Sequence, residues 1–123
     1  EGRDVYRVTY LVRLPSYRFG DMLVFRKRMY LVGPMRTNNV KLTDMKSGES
    51  VTYSHNDLVD AKVIGHREDY LDAVVLMESD REVQIMHPKN FRPLELRKPP
   101  RFRSKDGSVK IFIHEDEVYL VPK

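Results

Sequence analysis

Between residues 38 and 53 the chain alternates, turns and alternates again. Val40 and Leu42 point one way and Lys41 and Thr43 the other, the period-two pattern of a strand with one dry face and one wet face. Asp44-Met45-Lys46-Ser47-Gly48 interrupts it. Asp and Ser bond nearby backbone, and Gly48 accepts a positive φ without a Cβ clash, so the interruption predicts a hairpin tip. Val51 and Tyr53 resume the period. Upstream, residues 29–32 run into Gly33-Pro34, a turn signal, and Arg36-Thr37-Asn38-Asn39 leads back into Val40. A meander of three strands cannot stand alone, so other short strands must close its sheet.

The rest of the chain supplies them. Residues 5–14, 22–25 and 61–65 have strand composition, and His55-Asn56-Asp57-Leu58 suits one helical turn. Together these describe a small open barrel of SH3-like type. His66-Arg67-Glu68-Asp69 is a polar break. Beyond it, residues 70–77, 83–86, 92–96, 109–113 and 118–121 predict a second set of strands, with Pro93 marking an edge. This set fits a compact OB-like barrel. No segment of ten residues shows a helical period. The expected fold is therefore all-β, two small barrels in tandem, SH3-like over residues 1–66 and OB-like over residues 67–123.

Composition narrows the function. None of the 123 residues is cysteine, which removes disulfides, thiol catalysis and cysteine-ligated zinc and fits a reducing, cytoplasmic setting. No apolar run approaches the roughly 20 residues that a membrane-spanning helix needs. The first residue is Glu1, so the sequence reads as a piece of a longer protein. The net charge is +4, but its distribution says more. Residues 81–110 hold nine basic and three acidic side chains, whereas residues 54–80 hold two basic and seven acidic. Such segregation can turn one side towards a polyanion.

Catalytic constellations are missing from the sequence: there is no Gly-rich phosphate loop, His-Glu-x-x-His or Gly-x-Ser-x-Gly. His55, His66, His87 and His114 lie far apart as polar turn residues, Glu115-Asp116-Glu117 suits a solvated tip, and Asp44 suits a turn cap. We expect no enzyme, cofactor or metal. The interaction features are stronger. Lys98, Arg101, Arg103 and Lys105 share one loop with Phe102, combining charge for phosphate with a ring for stacking on a base. Arg26, Lys27 and Arg28 make a second basic tip, since adjacent like charges repel and seek exposure. Arg36, beside Asn38 and Asn39, makes a third. An alternative is a protein-interaction module using a groove lined by Tyr6, Tyr10, Tyr17, Phe19 and Tyr53.

The stretch Val40-x-Leu42-x-Asp44, then Ser47-Gly48-Glu49, then a polar turn and Leu58, resembles the N-terminal barrel of translation factor five A, a family with an SH3-like domain followed by an OB-fold. That family carries a modified lysine in a Gly-rich loop just before the Val-x-Leu strand. Here residues 34–39 stand in that place with Arg36 and no Gly-Lys-His-Gly, so an elongation factor of this kind would lack its modified lysine. A closer resemblance is to the archaeal form of nonsense-mediated decay protein three, the large ribosomal subunit export adaptor. Its carriers are Gly20-Asp21, residues 40–48, Ala61-Lys62-Val63-Ile64, Glu82-Val83-Gln84, residues 94–99 and the closing residues 115–122. The resemblance implies a monomeric, non-catalytic module that binds rRNA and proteins of the large ribosomal subunit. It implies a role in subunit maturation, export or quality control, with no small-molecule substrate and no membrane. It also implies a zinc-binding Cys-x-x-Cys region upstream of Glu1.

Overall fold

A computed structural model describes residues 16–104 and 107–123. The strand expected over residues 5–14 lies outside the described residues, as do Tyr6, Tyr10 and Lys105. The described chain is all-β. Its first sheet holds β1 (Met22–Phe25), β2 (Arg28–Met35), β3 (Asn39–Asp44), β4 (Ser50–Ser54) and β5 (Lys62–Gly65), in the order β4-β3-β2-β1-β5. Four strands meander, a 3-10 turn at His55–Leu58 redirects the chain, and β5 returns to pair with β1. That is SH3-like connectivity. The second sheet holds β6 (Leu71–Glu78), β7 (Glu82–Met86), β8 (Pro93–Arg97), β9 (Ser108–His114) and β10 (Glu117–Leu120), in the order β10-β9-β6-β7-β8. Its outer strands β8 and β10 approach each other, curling the sheet towards an OB-like barrel. Every pairing in both sheets is antiparallel.

The tips follow the turn chemistry. Asp44 Oδ1 accepts the N–H groups of Lys46 at 2.8 Å and Ser47 at 3.1 Å, and Gly48 takes φ +78°. Arg26 and Lys27 both have positive φ (51° and 63°), the backbone of a type I′ hairpin turn matched to strand twist. One sequence expectation is corrected. Gly33-Pro34 is not a turn; β2 runs through it to Met35, with a bulge between Val32 and Met35. A Cβ on Gly33 would lie 2.9 Å from the Lys41 carbonyl oxygen, so glycine here serves close strand approach. The bulge accommodates Pro34, which has no N–H for the ladder.

Three apolar clusters hold the molecule together. Leu23, Phe25, Tyr30, Val32, Val40 and Leu42 fill the first barrel. Ala73, Val83, Ile85, Phe102, Val109, Ile111 and Leu120 fill the second. The third joins them: Met22, Met45 and Phe112 are buried, with Met29, Leu31, Ile64, Tyr70, Tyr119 and Val121 packed around them. β1 therefore has no fully wet face, its least buried residue being the half-buried Val24 at the cleft. Leu23 and Phe25 face one core while Met22 faces the other, which is why its four residues are all apolar.

Candidate nucleic-acid interface

The cleft between the barrels gathers cations. It encloses about 660 Å³ and takes Lys27 from the β1–β2 tip, Arg28 from β2, Lys46 from the β3–β4 tip and Lys62 from β5. Met29, Ile64 and Tyr119 supply apolar wall. Asp44 and Glu115 also line it, and each has a partner: Arg28 Nη1 sits 3.3 Å from Asp44, and His114 Nε2 lies 3.8 Å from Glu115. Lys27, Lys46 and Lys62 make no ion pair among the described residues. Three lysines lining one concave space raise its potential above that of any one of them. The arrangement suits a run of phosphates more than a compact ligand.

The Gly48 turn carries this surface towards the loop after β8. Lys46 and Ser47 border the cleft, and a Cβ on Gly48 would meet Pro100 at 2.6 Å. Arg101 and Arg103 follow Pro100, both exposed and without ion pairs among the described residues. Two of the three predicted basic patches thus lie beside a common turn. Arg36 does not join them. It is exposed at the far end of β2, and eight strand residues at roughly 3.3 Å each place it about 25 Å from the Arg26 tip.

Two predicted site residues are corrected. Phe102 is 6% exposed and plugs the second barrel's core, so its ring is not available for stacking on a base. A large apolar ring within reach of the second core gains more from burial than from solvent. Lys98 is not a free cation. Its side chain is 17% exposed, with Nζ 3.0 Å from Glu78 Oε1 and 5.8 Å from the Phe102 ring centre. Arg26 remains exposed, its guanidinium 4.8 Å from the Phe25 ring centre. The aromatic groove for peptides also changes form. Tyr17 is 4% exposed and belongs to the first core, leaving Phe19 exposed and Tyr53 half-buried against Phe25 and Tyr30.

The histidines are structural ties. His55 Nε2–H donates to the Arg36 carbonyl at 2.8 Å, which leaves Nδ1 to accept from the Tyr17 hydroxyl, also at 2.8 Å. His66 Nδ1–H donates to the buried Asp21 carboxylate at 3.0 Å. Asp21 also accepts the Arg18 N–H at 2.9 Å, and Tyr70 donates its hydroxyl to the Gly20 carbonyl. These bonds fasten the segment between the sheets onto the 17–21 turn. Burial, and then the charge of Asp21, push the Tyr70 phenol well above its ordinary value.

The hydrogen bond to Asp21, then its charge, raises the His66 pKa above 6.5, with Glu68 and Asp69 adding in the same direction. A raised folded-state pKa means that this tie stabilises fully below pH 6.5 and is lost as the pH rises through the folded value. The urea midpoint of the wild type is therefore expected to fall, as the pH rises above 6.5, by more than that of His66→Asn. Equal pH slopes in the two proteins would show that protonating His66 adds nothing to the bond.

No helix among the described residues is long and apolar enough to cross a membrane. No protein-family model matches the chain, and no curated protein matches it in sequence. Among solved structures it is similar to eukaryotic translation initiation factor 5A from Methanococcus jannaschii, with 14% identity, 90% of this chain and 93% of that chain covered, and a TM-score of 0.47.

Proposed function

We propose that the chain is a non-catalytic RNA-binding module that docks on the large ribosomal subunit, within an adaptor protein acting in subunit maturation, export or quality control. The observation that carries this reading is the inter-barrel cleft, where Lys27, Lys46 and Lys62 stand without ion pairs and Gly48 continues the surface towards Arg101 and Arg103. Lysines and arginines on fixed strands and tight tips suit a folded polyanion, because their positions are set before binding. Arg26 and Arg36 extend the contact at the two ends of the first barrel. The module acts as a cytoplasmic monomer, without cofactor or substrate.

Co-sedimentation with purified large ribosomal subunits over a salt series tests this. Binding is expected at low salt, with log affinity falling linearly in log salt. It is expected to disappear when the subunits are treated with nuclease. Binding that survives nuclease would reassign the surface to a protein partner, and no binding at low salt would overturn the proposal.

A further inference from the structure

The loop between β7 and β8 holds a second aromatic, and here the ring is outside. Phe91 is 79% exposed, the most exposed large apolar side chain among the described residues, and its backbone sits at φ +52°. The left-handed region is unfavourable for a bulky side chain. The chain thus bears two costs at one position, a strained backbone and a wet phenyl ring.

What imposes them is His87. This residue is buried, and its Nδ1 accepts the N–H groups of Lys89 at 3.0 Å and Asn90 at 3.1 Å. Its carbonyl accepts the Phe91 N–H at 3.0 Å, and its own N–H donates to the Arg92 carbonyl at 3.0 Å. Four hydrogen bonds to one residue close the loop and fix the ring at its tip. Strain held by such a frame, at a solvent-facing aromatic, points to a binding role.

The surroundings name the ligand. Lys89 and Arg92 flank the ring, both exposed, and neither makes an ion pair among the described residues. No anion lies between residues 87 and 92. Lower down, Glu68 and Asp69 share a groove with Lys89, while Glu95, Asp116 and Glu117 share one with Arg92. Those carboxylates repel a phosphate backbone laid along either groove. The tip alone is left for an approaching strand, and a tip offers room for one base and its two neighbouring phosphates.

We infer that Phe91 is a stacking platform for an unpaired RNA base, with Lys89 and Arg92 on the flanking phosphates; this rests on the RNA-binding reading above. The ring face takes any base, so the site reads the unpaired state and not the sequence.

The chain contains no tryptophan, so Phe91→Trp installs a single reporter. Its fluorescence is expected to be quenched by a short unpaired oligoribonucleotide and left unchanged by a blunt RNA duplex of equal length. Phe91→Gly is expected to weaken binding of the unpaired strand roughly 5- to 150-fold, the span of one base stack, with the salt slope retained. The same variant is expected to unfold at higher temperature than the wild type, because glycine accepts the left-handed backbone. That separates a binding role from a structural one.

If Phe91→Gly binds the unpaired strand as the wild type does while cleft variants still weaken it, the stacking inference is overturned and the RNA reading stands. If the wild type binds no RNA, the RNA reading itself falls. If the Phe91 variants are silent towards RNA but lose binding to nuclease-treated ribosomal proteins, the ring serves a protein pocket and the inference is likewise overturned.

Discussion

Phe112→Ala is expected to destabilise the protein by about 3–5 kcal/mol, the usual cost of removing a buried phenylalanine, and to split one unfolding transition into two. Phe112 lies on β9 but is not part of the second barrel's own core. It packs with Met22 and Met45 in the cluster between the sheets. Its ring meets Tyr70 edge-on at 6.2 Å and stacks on His114 at 6.4 Å. It occupies the space over Gly65, where an added Cβ would stand 2.3 Å from the ring. Each barrel alone has the size at which a single core is marginal, so the shared cluster supplies cooperativity that neither has by itself. Calorimetry of the wild type and variant checks this; a single transition at an unchanged midpoint would refute it. Gly65→Ala, by crowding the same ring, is expected to act in the same direction at about 1–3 kcal/mol.

The second large effect concerns charge. Replacing Lys27, Lys46 and Lys62 together by alanine is expected to reduce the slope of log affinity against log salt by roughly three. With the slope extrapolated from molar salt, the loss at about 0.1 M is on the order of 10²-fold. The fold should tolerate the change, because all three side chains are exposed and unpaired among the described residues. Lys41→Ala, an exposed lysine of β3 that does not line the cleft, is the control and should leave the slope alone. Filter binding or fluorescence anisotropy across a salt series reads both. A triple variant with the wild-type slope would place the phosphate contacts elsewhere.

Strand positions were legible because alternation and turn residues are local. The Asp44–Gly48 tip and the helical turn at His55–Leu58 follow from such signals. Gly33-Pro34 misleads because the same dipeptide serves a turn and a bulge, and only the close approach of Lys41 decides between them. The cleft was not legible. Lys46 and Lys62 are ordinary lysines in sequence, one in a tip and one on a strand, and they come together only because β5 returns to β1 and the β3–β4 tip lies against β2. Phe102 and Phe91 show the same limit. Each sits among basic residues, in Arg-Phe-Arg and in Asn-Phe-Arg. Which ring is inside depends on the second barrel's core lying within reach of one and on the bonds to His87 near the other.

Met22 and Leu23 stand back to back on β1, both fully buried, so one short strand serves two hydrophobic interiors at once. Neither half can shift without disturbing the other. The first sheet's Lys27, Lys46 and Lys62 consequently face a fixed wall of His114 and Tyr119 from the second sheet, and a binding partner has to arrive already shaped to that gap.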